Sequence, residues 1–319
     1  GTVWSPLFKT TVPLTQLTLF DVPAALDTPL PNEVTGDDRV RIITGDLTTE
    51  GVAKEIVDFD SLSVVHLASM VSGDTEADPE RGWRTNVEGQ RSLLEAIREQ
   101  APGARFLFTS STATLGPVAD GASAPDDTTK LLPQNTYGFT KAVCELMIND
   151  YARRGWVDAR GLRLPVIVVR PGAPNAALTG AWSTVVREPL NGHDCVIPVP
   201  MDVELPVASC QTVVSAIGTL LNDVEGVALG ADRTLMLPSV STSPAALYDA
   251  ASRLSAVHGL PLGSARARAQ KVATSVVRSM GSRSDGARAQ ALGLPVDEGA
   301  DAIVAAYARD YVFPKLESD

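Results

Sequence analysis

A chain of 319 residues, 44% hydrophobic and 20% charged, has the make-up of an ordinary globular protein with a substantial core, in one large or two modest domains. Its formal net charge of -11 argues against a nucleic-acid or anionic-membrane partner, because phosphate binding relies on clustered cations. No apolar run of about 18 residues reads as a membrane span and no leader pattern as a secretion signal, while Cys144, Cys195 and Cys210, odd in number and without metal-like spacing, read as reduced cytosolic thiols.

Residues 1–14 carry Pro6 and Pro13 and no apolar alternation, so they read as a loop. Leu17-Thr-Leu-Phe20 then predicts a short strand ending in Asp21. An acidic residue at such a strand end can bond the ribose hydroxyls of a dinucleotide, or simply cap the strand. In a dinucleotide-binding unit a first strand and a glycine-rich phosphate turn come before that acid, and they are absent from the residues ahead of Leu17. A strand plus helix takes about 30 residues, so the reading expects a piece of that size before Gly1. Arg39 to Thr44 is the next strand, followed by Gly45-Asp46-Leu47 and a helix from Thr49 to Phe59; Asp46 could bond an adenine amino group or cap that helix. Ser63-Val-Val-His-Leu-Ala68 reads as a buried strand in which His66 belongs to the core, and Ala68 and Ser69 are small enough for close approach to the backbone.

An acidic, mobile loop is expected from Ser72 to Asp78, then a helix from Pro79 to Glu99 that carries Asn86 among small and apolar neighbours. A buried Asn must bond something, and a strand carbonyl is the ordinary partner. Phe106-Leu-Phe108 leads into Thr109-Ser-Ser111. A long loop rich in Pro, Asp, Ser and Thr, residues 116–133, separates it from a helix over residues 135–152 whose apolar positions Val143, Leu146, Met147 and Ala152 recur at helical spacing.

Tyr137 and Lys141, four apart on that helix, project from one face. A phenol ionises near pH ~10, so acting as a base near neutrality requires a shift of roughly 3 units, about 4 kcal/mol of preferential stabilisation of the phenolate. A lysine ammonium one turn away supplies part of it by Coulomb attraction. Ser111, at the end of its strand, would hold the substrate oxygen. Alone, Tyr-x-x-x-Lys is weak, because a half-buried Tyr beside a solvated Lys is the commoner arrangement. A downstream strand from Leu162 to Arg170, running into Pro171-Gly172, sets the helix in a repeating strand and helix pattern with polar groups at strand ends, where open parallel sheets place ligands.

In the second half Ala181 to Leu190 reads as a helix. Arg187 on it is the candidate to grip a substrate carboxylate, against the plainer reading of a solvated Arg. Arg266, Arg268, Lys271, Arg278 and Arg283 read as a solvated helix face, since no aromatics are interleaved. Asp301 to Tyr311 closes the chain as an amphipathic helix.

Taken together, Phe20-Asp21, Gly45-Asp46-Leu47, His66-Leu-Ala68, Asn86-Val-Glu-Gly89, Thr109-Ser-Ser111 and Tyr137-Gly-Phe-Thr-Lys141 resemble, in the expected order, the extended short-chain dehydrogenase/reductase family, the NAD-dependent epimerases and dehydratases. Val169-Arg-Pro-Gly-Ala-Pro-Asn175, Arg187-Glu-Pro-Leu-Asn-Gly192 and Ala228-Leu-Gly-Ala-Asp-Arg233 resemble its D-erythronate dehydrogenase branch. The resemblance implies an α/β fold, a Rossmann-type doubly wound parallel sheet with a smaller carboxyl-terminal substrate-binding subdomain. Residues 1–172 would bind NAD and residues 173–319 mainly the substrate, some segments returning to the first domain. NAD would be held by Asp21, Asp46, Leu47, Ala68, Ser72, Asn86, Tyr137, Lys141 and the Pro171-Gly172 turn. Ser111 and Tyr137 would meet the substrate alcohol, and no metal would take part. The implied reaction oxidises the 2-hydroxyl of a small sugar acid to a 2-oxo acid, in a cytoplasmic homodimer joined through the Asn86 and Tyr137 helices. A nucleotide-sugar epimerase or dehydratase, and a non-catalytic nucleotide-sensing or scaffold protein, are the alternatives.

Overall fold

The computed structural model describes residues 14–27, 30–57, 63–119, 121–172 and 178–316. The loop expected over residues 1–14 falls almost wholly outside them, as do Phe59 and residues 173–175 of the later motif. Eleven strands occur among the described residues: β1 (Leu17–Asp21), β2 (Val40–Thr44), β3 (Ser63–His66), β4 (Arg105–Ser111), β5 (Asp158–Leu164), β6 (Val166–Val168), β7 (Cys195–Ile197), β8 (Leu205–Ser209), β9 (Thr234–Met236), β10 (Val240–Thr242) and β11 (Ala265–Ala267). The chain divides into two compact units, Gly1–Ser110 with Asn135–Leu162 and Ile217–Thr234, and Ser111–Gln134 with Arg163–Ala216 and Leu235–Asp319.

In the first unit β1 and β2 run parallel with Asp21 opposite Thr44, and β3 runs parallel to β4 with His66 opposite Phe108; the strand order about β4 is β3-β4-β5-β9. In β4 the apolar run Phe106-Leu-Phe108 is covered on both faces, each of the three residues being at most 1% exposed. Its core gathers Leu47, Val87, Leu94 and Ile97 with Phe106, Phe108, Cys144 and Ile148. Gly161 in β5 is a position of close approach, since a Cβ there would lie 3.0 Å from Ile148 Cδ1 of the overlying helix.

The helix that follows β3 in this unit differs from the reading of the sequence. Pro79–Trp83 and Gly89–Gln100 are α-helical, and between them Arg84–Glu88 widens into a π turn that contains Asn86. Such turns insert one extra residue into the ladder and often mark functional positions. Ser72–Ala77, expected as a loop, is a short helix in which buried Thr75 donates to the carbonyl of Val71 at 3.1 Å. A local hydroxyl bond of that kind, with Thr75 under Gly82, orders a polar segment that its composition makes look mobile.

The second unit has a sheet of order β10-β8-β6, with β8 antiparallel to β10 and parallel to β6, and a parallel pair β7 and β11. Helices Ala181–Leu190, Pro244–His258 and Ala300–Tyr311 supply Trp182, Val186, Leu247, Ala251, Ile303 and Val304 to its core. The fully buried Trp182 donates its indole N–H to Thr242 O at 2.9 Å, so its polar edge is satisfied. The expected strand from Leu162 to Arg170 is two strands, β5 and β6, broken at Pro165, which has no N–H to give a ladder. Arg266 lies in β11 and only Lys271 and Arg278 on a helix, Lys271–Ser279, yet all five basic residues of this stretch are exposed.

Candidate active site

In the first unit the polar ends of strands gather beside one helix. Thr136–Arg153 starts at Asn135, whose side chain accepts from the Gly138 N–H at 2.7 Å and so satisfies one of the orphan donors of the first turn. The face buried by this helix contains Thr140, Lys141, Cys144, Glu145 and Ile148, whereas Leu146 is 63% exposed. Tyr137 is half-buried at its start.

Lys141 is 3% exposed, and its Nζ donates to Thr109 O at 2.9 Å, at the carboxyl end of β4. The ammonium lies 4.7 Å from the centroid of the Phe108 ring and 5.6 Å from that of Tyr137, both within cation–π range. Burial pulls Lys141 down to about 8, opposed by attraction to Cys144 and Glu145. It is therefore a cation at neutral pH that can discharge within reach of the working range, a condition a solvated lysine does not have. His66 is the core residue expected from its setting. It stacks between Phe106 and Phe108 at 5.8 and 6.2 Å, and burial, with the charge of Lys141, lowers it to about 3.

Asn86 is 3% exposed and fully engaged. Its Oδ1 accepts from the Met70 N–H at 2.7 Å and Ser69 Oγ at 3.1 Å, and its Nδ2 donates to Met70 O at 3.2 Å and Thr140 Oγ1 at 3.0 Å. Thr140 Oγ1 in turn donates to Tyr137 O at 2.8 Å. Asn86 thus clamps the loop after β3 to the first turn of the tyrosine helix, and the π turn is what aims it there. The bland partner expected, a strand carbonyl, is replaced by both backbone groups of Met70.

Of the remaining expected cofactor residues in this unit, Asp21, Asp46, Leu47 and Ala68 lie at or just past strand ends, while Ser72 opens the helix Ser72–Ala77. Asp21 is exposed and accepts from the Val22 N–H at 2.7 Å. Asp46, also exposed, accepts from Thr48 N–H at 2.9 Å and Thr48 Oγ1 at 2.7 Å; these bonds hold its carboxyl below the usual range. It makes a local turn and does not cap the helix, Val52–Ile56, whose N-cap is Gly51. Leu47 is buried, while Ala68 and Ser72 are exposed. Ser111, the last residue of β4, is counted with the second unit; its Oγ accepts from the Ala113 N–H at 3.2 Å.

In the second unit Pro171 and Gly172 are exposed after β6, and Gly172 has φ +85°, a left-handed turn that glycine permits. Arg187 is 7% exposed, not a solvated helix-face residue. Its Nε donates to Glu188 Oε1 at 2.8 Å and its Nη1 to Arg170 O at 2.9 Å, while Nη2 is buried without a partner among the described residues.

The profile of the NAD dependent epimerase/dehydratase family matches residues 22–226. A D-erythronate dehydrogenase from Cupriavidus necator is 39% identical over 94% of this chain and 89% of its own length. The chain belongs to the NAD dependent epimerase/dehydratase family. A D-erythronate dehydrogenase from Haemophilus influenzae is 36% identical over 85% of each chain. Among solved structures, a nucleoside-diphosphate-sugar epimerase from Agrobacterium tumefaciens has a TM-score of 0.81 at 30% identity, covering 94% of this chain and 86% of that one. L-threonine 3-dehydrogenase from Trypanosoma brucei shares the fold at a TM-score of 0.75, with 22% identity over 89% and 85%. Membership of this family, together with 39% and 36% identity to two D-erythronate dehydrogenases, makes the protein an NAD-dependent dehydrogenase with a Rossmann-type α/β fold, as expected from its motifs. Sequence reasoning missed Glu145, 2% exposed, which accepts from Ser110 Oγ at 2.5 Å. Its spacing of four from Lys141 on one helical face was the available signal.

Proposed function

We propose that the enzyme is a dehydrogenase that oxidises the 2-hydroxyl of a small sugar acid of the D-erythronate type to a 2-oxo acid. The observation that carries this reading is Lys141, a buried cation 5.6 Å from the Tyr137 ring, in a chain 39% identical to a D-erythronate dehydrogenase over most of its length. The exposed carboxylate of Asp21 at the end of β1 suits ribose hydroxyls, and the exposed Ala68 suits a close backbone approach, so these residues fit NAD. Asp46, Leu47, Ser72 and the Pro171-Gly172 turn complete the cofactor assignment, with Asn86 shaping the loop after β3. Bound NAD supplies the hydride acceptor. Tyr137 removes the hydroxyl proton through its phenolic oxygen, Lys141 favours the phenolate by its charge, and Ser111 holds the substrate oxygen. Arg187, the candidate for the substrate carboxylate, has Nε and Nη1 engaged and Nη2 buried, so it would grip a carboxylate through Nη2 only once that nitrogen is uncovered. Residues 1–172 are assigned mainly to the cofactor and residues 173–319 mainly to the substrate.

Turnover of four-carbon to six-carbon aldonates with NAD and with NADP tests the reading. The expected result is NAD-dependent oxidation of a four-carbon acid at a kcat/KM above that of the longer acids; no turnover of any aldonate sinks it. The likeness to the nucleoside-diphosphate-sugar epimerase favours a second reading, nucleotide-sugar epimerisation. Protection against heating by UDP- or GDP-sugars, and not by aldonates, would establish that reading instead.

No helix among the described residues is long and apolar enough to cross a membrane. The free thiols Cys144, Cys195 and Cys210 support a cytoplasmic location. A homodimer is part of the same proposal. Trp83 and Phe139, 36% and 47% exposed, stack at 5.9 Å on the two helices named for that contact. Sedimentation should give twice the chain mass for the parent, with a shift towards the monomer for Phe139→Lys; a monomeric parent rejects the dimer.

A further inference from the structure

Glu145 has no task in the chemistry above, yet it is 2% exposed and lies one helical turn beyond Lys141. Lys141 and Glu145 reach consecutive residues of β4: Lys141 Nζ donates to Thr109 O at 2.9 Å, and Ser110 Oγ donates to Glu145 Oε1 at 2.5 Å. A tie between helix and strand needs only a neutral acceptor. Burying a carboxylate for it costs desolvation that a glutamine would largely avoid, so the charge itself calls for a role.

Around Lys141 the groups that carry or can carry charge are few. β3 presents His66, neutral because burial and Lys141 lower it to about 3. β4 presents the Phe108 ring and the Thr109 carbonyl, and the π turn presents the neutral Asn86, whose carbonyl accepts from Cys144 Sγ at 3.2 Å. The helix itself presents Tyr137, Cys144 and Glu145. Burial pushes the Cys144 thiol up to about 12, so its attraction for Lys141 exists only far above neutrality. Among these described groups Glu145 is the carboxylic acid, the residue type that can set a negative charge against the ammonium.

We propose that Glu145 is a positioning residue for the tyrosine and lysine pair: its carboxylate is the counter-charge that keeps Lys141 an ammonium in a desolvated setting, while its bond to Ser110 fixes the end of β4 against the helix. The role for catalysis rests on the assignment of Tyr137 and Lys141 made above, but the charge relation is measurable without turnover. Lysine-selective isotope labelling and NMR titration of the Nζ signal read it directly in the intact protein.

The parent midpoint should lie at or somewhat below about 8, because Cys144 is a neutral thiol there. Glu145→Gln keeps an acceptor for Ser110 and removes the charge, so the midpoint should fall by about 1 to 3 pH units. Ser110→Ala removes the bond and keeps the charge, so the midpoint should stay at the parent value. An unmoved midpoint in E145Q, or an equal fall in S110A, overturns the proposal. Should E145Q not fold, Glu145→Asp takes its place: it retains the anion and must stay near the parent midpoint, and a fall of a full unit overturns the proposal as well. In the pH profile of kcat/KM for alcohol oxidation, E145Q should move the acid limb upward, because a neutral Lys141 no longer favours the phenolate. If Tyr137→Phe proves fully active, the base assignment fails, while the NMR midpoints still decide the role of Glu145.

Discussion

Tyr137→Phe is expected to lower kcat/KM for alcohol oxidation by about 10² to 10⁴-fold, the range of a lost general base. The same protein should fold and titrate NADH fluorescence as the parent does. The phenol is a half-buried group at the start of its helix, so losing one oxygen leaves the Asn135 cap, the bond from Lys141 to Thr109 O and the Asn86 clamp in place. The rate depends on pH in a definite direction. Lys141, at about 8, is charged below that value and neutral above it, so its help to the phenolate fades as pH rises through 8. Oxidation should therefore rise as Tyr137 ionises and lose further gain above pH 8. Activity of the Phe variant within tenfold of the parent, with unchanged melting temperature, would falsify the assignment of Tyr137 as base.

Parts of this arrangement are legible in the sequence because they are written in apolar runs. β1, β3 and β4 show themselves in Leu17 to Phe20, Ser63 to His66 and Phe106 to Phe108, short apolar runs of strand-forming residues, of which the β4 run is buried on both faces. The order of weak motifs along the chain adds what no one of them carries. The tyrosine helix shows the limit of such reading. Its apolar positions Val143, Leu146 and Met147 suggest an inward face, yet Leu146 is exposed and the inward positions include Lys141 and Glu145. Those two charges are buried because consecutive residues of a strand far away in sequence receive them, and local periodicity does not contain that fact. The π turn at Asn86 is hidden for the same reason: four tertiary hydrogen bonds hold a helix distortion for which the helix's own sequence gives no cause. Ser72–Ala77 misleads in the opposite direction, its composition being that of a loop while Thr75, buried under Gly82, makes it a helix.

Asp158→Ala should destabilise the protein by about 3 kcal/mol, because it leaves two buried cations without their anion. Asp158 Oδ2 accepts from Arg160 Nη2 at 2.5 Å and Asp158 Oδ1 from Arg233 Nη2 at 2.6 Å. The Arg160 side chain is 0% exposed and that of Arg233 10%. The two guanidiniums also bind backbone: Arg160 reaches the carbonyls of Leu220 and Val224, and Arg233 reaches those of Ala159 and Gly226. Asp158 therefore balances the charge of a knot that ties β5 to the segment after the Cys210–Asn222 helix. Its own side chain is 27% exposed, so water entering the vacated site offsets part of the loss and places the cost at the lower end of the usual range. The pair Lys54–Glu99, with side chains 58% and 43% exposed, is the internal control, where Lys54→Ala should cost under about 1 kcal/mol. In a melting experiment Asp158→Ala should lose about 4 to 5 °C and Lys54→Ala no more than about 1.5 °C, at roughly 1.5 °C per kcal/mol for an unfolding entropy of about 2 cal/mol/K per residue. Equal melting temperatures for the two variants would mean that the buried guanidiniums are held by the carbonyls alone.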